Sequence, residues 1–138
     1  MEYEAKPNLQ RQYSALPPAI LVCLHEYIDT HLECRLTLEE LGSVVRYSPC
    51  HLARRFRLAT GQTLHQYVTC RRLAKAQALI ATTDLPLLQI AAQTGFSDQS
   101  HLSNAFRKAY GCAPSAMRKN LQMMRTDFQD ANPKSRYL

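Results

Sequence analysis

A stretch of about twenty residues occurs twice in the chain, and this repeat constrains the fold more than any other feature of the sequence. When the second stretch, 90–111, is aligned with the first by a shift of 50 residues, six positions carry the same residue type. In the first copy these positions are His51, Leu52, Phe56, Arg57, Ala59 and Gly61. A repeat that occurs only twice indicates two copies of one small unit, since a solenoid needs at least three.

Each copy contains the signals of two short helices joined by a turn. The segment 37–40, Thr-Leu-Glu-Glu, is a capping box that begins the first helix. Ser48 can cap the next helix, with Pro49 in its first turn, and Gly61 ends that helix as a left-handed cap. This pattern predicts a helix-turn-helix unit over about 37–61.

The second copy, about 86–111, repeats this pattern with a different turn. Gly95 suits a left-handed backbone position, where the first copy has Arg46 and is expected to carry some strain. Ser97 or Asp98 is expected to cap the second helix of this copy.

Between the two copies, residues 63–81 have the spacing of a long amphipathic helix without glycine or proline, which predicts a rigid linker. An acidic scaffold helix is predicted over 19–32, and Pro114 begins a final helix. The residues of that final helix expected to face inward are Met117, Leu121 and Met124.

These elements predict an all-α fold built from two helix-turn-helix subdomains that a long helix joins. A chain of 138 residues suits one domain, which we place at 17–128. Residues 1–16 are interpreted as a flexible arm or linker remnant, and 129–138 as a flexible tail.

Basic charge is concentrated in the repeated part of the chain. Residues 1–40 carry three basic and seven acidic side chains, whereas residues 41–126 carry twelve basic side chains and only two acidic ones, Asp84 and Asp98. A basic charge on one part of a small domain is typical of a protein that binds a polyanion. The alternative is a solvated face, but the basic residues fall within and between the repeated units, which favours the polyanion.

Two helix-turn-helix units suit duplex DNA, whose successive major grooves on one face lie about 34 Å apart. Arg54 can pair with guanine through two hydrogen bonds, and Gln99 and Asn104 can pair with adenine in the same way. Shorter polar readers in the second copy are Ser100, His101 and Ser103. The flanking basic residues are predicted to contact phosphates: Arg55, Arg57, Arg71, Arg72, Lys75, Arg107, Lys108, Arg118 and Lys119.

Other classes of function find little support in the sequence. The five cysteines are scattered without the spacing of a zinc site or a disulfide framework, so we predict free thiols, no metal and no cofactor. No motif links a nucleophile to a base, so we predict that the protein is not an enzyme. His51 is interpreted as a structural residue near the turn, whereas His101 could serve the turn or the DNA. No apolar run is long enough for a membrane span.

Residues 19–118 resemble the DNA-binding domain of the AraC/XylS family of bacterial transcription regulators. The resemblance is carried by SPCHLARRFRLATGQTLHQYV, RRLAKAQALI and, most specifically, IAAQTGFSDQSHLSNAFRKAYGCAPSAMRK. It implies seven helices, with helices 49–59 and 98–109 as the DNA readers, and it adds Cys50 and Ala53 to the base-facing set. The chain departs from the family pattern at Gly42, Ala113 and Met117, which puts local stability in doubt rather than DNA binding.

We therefore predict a sequence-specific, double-stranded DNA-binding transcription regulator in a bacterial cytoplasm. The resemblance implies activation through RNA polymerase, and we expect no small-molecule effector to bind within this chain. The chain is interpreted either as a compact single-domain member of the family or as a DNA-binding fragment of a longer regulator. The alternative function is a helical module that binds a protein partner and no DNA.

Overall fold

The computed structural model describes residues 15–130, and side chains as far as 124. Within this range the chain folds into seven α-helices and contains no strand, as the all-α prediction requires. The helices are α1 (Pro18–Thr30), α2 (Leu38–Val45), α3 (Pro49–Thr60), α4 (Leu64–Thr82), α5 (Leu87–Gln93), α6 (Gln99–Tyr110) and α7 (Pro114–Asp130). The chain divides into two compact units between Arg71 and Arg72, inside the continuous helix α4.

The first unit is formed by α1, α2, α3 and the first part of α4, around one apolar core. Its buried residues are Leu16, Leu24, Ile28, Leu32, Leu41, Val45, Leu52, Phe56, Leu64 and Val68. The predicted caps are present: the Thr37 side chain accepts the Glu40 N–H at 3.1 Å, and the Ser48 side chain accepts the His51 N–H at 3.3 Å. The Tyr27 hydroxyl donates to the Glu40 carboxylate at 2.9 Å, which ties α1 to the start of α2.

The turn between α2 and α3 has the strain that the sequence predicts. Arg46 has φ 62° and ψ 40°, and within the described residues it is the only non-glycine residue with positive φ. Such a conformation costs about 1–3 kcal/mol for a side chain with a Cβ atom. The amide of Tyr47 donates back to the Gly42 carbonyl at 2.9 Å, so the chain reverses tightly against α2.

This turn requires glycine at position 42. The expectation that the departure from the family pattern lowers local stability is therefore wrong for Gly42. A Cβ atom on Gly42 would lie 2.4 Å from the Tyr47 carbonyl oxygen, closer than side chains approach backbone. Gly42 therefore permits the close approach of α2 and the turn.

We expect Gly42→Ala to destabilise the first unit. Alanine has the higher helix propensity, by about 1 kcal/mol, but an overlap with a backbone oxygen costs about 1–3 kcal/mol or more, so we expect a net loss of stability. Thermal unfolding followed by circular dichroism measures the sign of the change. The neighbouring exposed Ser43→Ala serves as the control, and a melting temperature for Gly42→Ala at or above that of the parent would contradict the clash.

The second unit is formed by the rest of α4 with α5, α6 and α7, around its own core. The buried residues are Leu73, Ala76, Ile80, Ile90, Ala91, Phe96, Leu102 and Phe106. Gly95 adopts the left-handed conformation predicted for it, with φ 87°. Of the two predicted caps for α6, the structure selects Asp98, whose carboxylate accepts the His101 N–H at 2.7 Å.

Two predictions about burial are wrong. Leu16, assigned to the arm, is only 3% exposed and belongs to the first core. Met124, predicted to face inward, is 67% exposed, because α7 continues past the second core, whereas Met117 packs against that core.

The predicted arm over residues 1–14, the side chain of Phe128 and the tail from residue 131 lie outside the described residues, although the backbone of 129–130 continues α7. Within the described residues, no helix combines the length and apolar character that a membrane crossing needs.

Candidate nucleic-acid interface

Helix α3 presents the predicted readers of the first unit on the face opposite its core residues. Leu52 and Phe56, four residues apart, are 0% and 1% exposed and fix the orientation of the helix. On the outer side, Cys50 and Arg54 are exposed and Ala53 is half-buried. The sequence prediction for this helix therefore agrees with the orientation that the core imposes, while its contact with bases stays a prediction.

Helix α6 has the same construction with different chemistry. Leu102 and Phe106 are both 0% exposed and anchor the helix in the second core. The other face carries the polar residues predicted to read bases, of which Ser103 is half-buried and the rest are exposed: Gln99, Ser100, His101 and Asn104. Among the predicted readers, α3 offers one arginine, whereas α6 offers a row of polar hydrogen-bonding groups.

The two equivalent histidines both contact a serine of the turn. The His51 Nδ1 atom lies 2.9 Å from the Ser48 hydroxyl oxygen, and His101 Nδ1 lies 3.1 Å from that of Ser97. The His101 ring also meets the Phe96 ring edge to face, with centroids 5.1 Å apart. These contacts agree with the structural interpretation of His51, and they give His101 a role in the turn in addition to its predicted role at the DNA.

Five of the nine predicted phosphate-contacting residues are exposed. Arg57 lies in the last turn of α3, and Arg107 and Lys108 lie in the last turn of α6. These three residues are exposed, as are Lys75 and Lys119.

The other four members of this set are half-buried, among them Arg55 and Arg72. Arg55 lies over the Tyr47 ring, 5.3 Å from its centroid. Burial lowers the pKa of the Arg72 guanidinium from its ordinary value, although arginine stays charged at neutral pH.

Arg71 has a partner within the protein. Its Nε and Nη2 atoms donate to the two carboxylate oxygens of Asp29 at 2.9 and 2.8 Å, and this hydrogen bonding raises the pKa of Arg71. His25 contacts both Asp29, at 3.1 Å, and the Tyr67 hydroxyl, so the cluster joins α1 to α4. A bidentate pair of this kind fixes geometry and gives Arg71 a structural role, while its contact with phosphate stays a prediction.

Arg118 is also engaged within its own unit. Its guanidinium donates to the backbone carbonyl of Leu85 at 2.5 Å and to that of Thr83 at 3.3 Å, which holds the loop before α5 against α7. The half-buried side chain thus satisfies backbone acceptors that have no helical partner. This arrangement favours a structural role for Arg118 as well.

Sequence reasoning missed the cluster around Asp29. The sequence pattern indicates only that Asp29 belongs to an acidic scaffold helix, and its partner Arg71 lies 42 residues later. One signal was available: Asp29 and His25 are four residues apart on one helix face. No group of three or more histidine, cysteine or acidic residues in the described part of the chain is arranged to hold a metal ion.

Comparison with known proteins agrees with this architecture. A model of the helix-turn-helix domain matches residues 41–120. The chain is 40% identical over 94 residues to LumQ, a probable transcriptional regulator of Photobacterium leiognathi; the match covers 68% of this chain and 38% of LumQ. It is 35% identical over 102 residues to the regulatory protein SoxS of Salmonella typhimurium, and this match covers 74% of this chain and 95% of SoxS.

Among solved structures, the fold is similar to the DNA-binding domain of the global transcriptional factor AdpA, crystallised in complex with a target DNA. The TM-score is 0.71 at 28% sequence identity, and the match covers 75% of this chain and 93% of that one. The chain thus spans nearly all of SoxS but less than half of LumQ.

Proposed function

The chain belongs to the AraC/XylS family of DNA-binding transcription regulators, and we propose that it activates transcription by reading two segments of the major groove of one DNA duplex. Helix α3 reads the first segment and helix α6 the second. The base-facing residues are those predicted from the sequence: Cys50, Ala53, Arg54, Gln99, Ser100, His101, Ser103 and Asn104.

One observation carries this proposal: each unit buries one face of its second helix and presents the other, polar face to solvent beside basic residues. The N-terminal residues of such a helix contact base edges in helix-turn-helix complexes. Among the predicted base-facing residues of α3, Arg54 has the most hydrogen-bond donors, and those of α6 include the amides of Gln99 and Asn104. These are the side chains that pair with guanine and adenine through two hydrogen bonds.

Activation and location are parts of the same proposal. The family implies that a bound regulator positions RNA polymerase at a promoter, and we propose this mode for the present chain. It acts in the bacterial cytoplasm, where the duplex and the polymerase are found. The proposal requires no cofactor and no catalytic group.

Selection of bound sites from a pool of random DNA duplexes tests the proposed function. We expect the selected sequences to contain two short restricted blocks, one for each reading helix. A single block would contradict reading by both units. Failure to retain any duplex at low salt would favour the alternative of a protein-binding module, since DNA-binding proteins retain non-specific affinity under that condition.

The substitutions Arg54→Ala and Arg57→Ala separate base reading from phosphate contact. Arg54→Ala is expected to cost about 1–3 kcal/mol on the preferred duplex and to relax preference at one base pair. Arg57→Ala, in the last turn of the same helix, is expected to weaken binding to all duplexes alike. Affinities for the preferred duplex and its single-base variants measure both effects, and a uniform loss for both proteins would contradict the division of roles.

A further inference from the structure

The two units fill the capping position of their reading helix with different chemistry. In the first unit the cap is the hydroxyl of Ser48, and in the second it is the carboxylate of Asp98. Both groups accept the same hydrogen bond, from the backbone N–H three residues later, which belongs to His51 or to His101. The repeat therefore contains an internal comparison between a neutral and a charged cap.

Capping alone does not require the charge of Asp98. Serine, asparagine and aspartate are about equally good N-caps, and the first unit forms its reading helix with serine. Asp98 is moreover the only acidic residue in the turns and reading helices of the two units, 46–61 and 94–111. A carboxylate in this place weakens the general attraction to phosphates. Its charge is therefore expected to have a role other than capping.

The position of the carboxylate gives it access to base edges. Asp98 is exposed and directly precedes Gln99 and Ser100, the first readers of α6. The hydrogen bond to the His101 N–H holds the carboxylate at the start of the helix, and the His101 ring is itself held by Ser97 at 3.1 Å. An ionised carboxylate only accepts hydrogen bonds and has about four acceptor positions, of which this cap uses one.

The donors and acceptors on each base edge in the major groove determine which base a carboxylate can contact. Cytosine presents only the N4 amino donor there, whereas guanine presents two acceptors and adenine places its N7 acceptor beside the N6 donor. A carboxylate is attracted by the cytosine edge and repelled by edges that present acceptors.

We propose that Asp98 is a specificity-determining residue of the second unit, which accepts a hydrogen bond from the N4 amino group of a cytosine. The inference rests on the proposed function, because it requires that α6 lies in the major groove.

Selection of bound duplexes by the parent protein and by Asp98→Asn tests the inference. Asparagine keeps the size and the cap but removes the charge. We expect the parent to restrict one position of the second block to cytosine, and Asp98→Asn to reduce that discrimination by about fivefold to a hundredfold. The other positions of both blocks are expected to keep their preferences. Thermal unfolding of Asp98→Asn confirms that the helix remains capped.

Ser48→Asp is the matched gain-of-function variant, because aspartate is a good cap at the equivalent position of α3. It is expected to add a cytosine preference at one position of the first block. Unchanged selectivity in both variants would overturn the inference and leave Asp98 as a cap only. An equal rise in affinity of Asp98→Asn for all duplexes would also overturn it, since the charge would then act on phosphates alone.

Failure of the inference and failure of the proposed function give different results. A parent protein that selects two blocks, together with an Asp98→Asn variant of identical selectivity, contradicts only the role of Asp98. A parent protein that selects no sequence contradicts the proposed function, and the role of Asp98 falls with it.

Discussion

Raising the salt concentration from about 50 mM to about 200 mM is expected to weaken duplex binding by about a thousandfold to ten-thousandfold. Each phosphate contact releases condensed counterions and contributes about −0.9 to the slope of log affinity against log salt concentration. Besides Arg71 and Arg118, whose guanidinium groups bond within the protein, the predicted phosphate-contacting set has seven members: Arg55, Arg57, Arg72, Lys75, Arg107, Lys108 and Lys119. Full engagement of these seven predicts a slope of about −6. A slope near zero would contradict DNA binding through this surface.

Two substitutions test which arginines contribute to that slope. Arg107→Ala removes an exposed residue of the last turn of α6 and is expected to reduce the slope by about 1 in magnitude. Arg71→Gln removes the partner of Asp29, so we expect lower stability of the first unit but an unchanged slope. Binding titrations at several salt concentrations, below the melting temperature of each variant, give the slopes. A lower slope for folded Arg71→Gln would restore Arg71 to the phosphate-contacting set.

Replacing Phe106 with alanine is expected to destabilise the second unit by about 3–5 kcal/mol. The side chain is 0% exposed and lies in the core with Leu102, Phe96 and Ile90, so its removal leaves a cavity that rigid neighbouring helices cannot fill. Because the free energy of unfolding of whole domains is about 5–15 kcal/mol, a loss of this size is expected to unfold the unit near physiological temperature. Hydrogen exchange of backbone amides measures the loss, with reduced protection expected in α5 and α6.

Phe56→Ala is the matched substitution in the first unit, where the side chain is 1% exposed. It is expected to reduce amide protection in α2 and α3 instead. The surface control is Leu58→Ala, at a side chain 56% exposed on the same helix, which should change stability by less than about 0.5 kcal/mol. Native-like thermal stability of Phe106→Ala would contradict the assignment of this residue to the core.

The two units share a scaffold but differ in the groups that they offer to DNA. Helix α3 carries Arg54, Arg55 and Arg57, and its cap is neutral. Helix α6 carries its arginine and lysine only in the last turn, and its first turn combines the Asp98 cap with polar side chains. On this basis we expect helix α3 to contribute more of the salt-dependent affinity than helix α6, and helix α6 more of the base discrimination.

The sequence alone determined the helices and their ends, because these depend on neighbours within a few residues. Thr37, Ser48 and Gly61 act as the caps that their chemistry predicts, and the same reasoning identified the left-handed turn residues. The spacing of Leu52 and Phe56 was enough to orient α3, since residues four apart share one face of a helix. The readers on the opposite face followed from that orientation.

Only the tertiary structure shows that two of the predicted phosphate-contacting arginines bond within the protein. Arg71 and Arg118 have the same chemistry as the exposed basic residues, and their partners lie 42 and about 33 residues away in the chain. Helical periodicity carries no information about such distant pairs. The close approach of α2 to the turn, which requires Gly42, could not be predicted for a similar reason. It depends on the path of the turn around Tyr47 and not on helix propensity. Local order in this protein follows from the sequence pattern, whereas the roles of individual arginines follow from packing between helices.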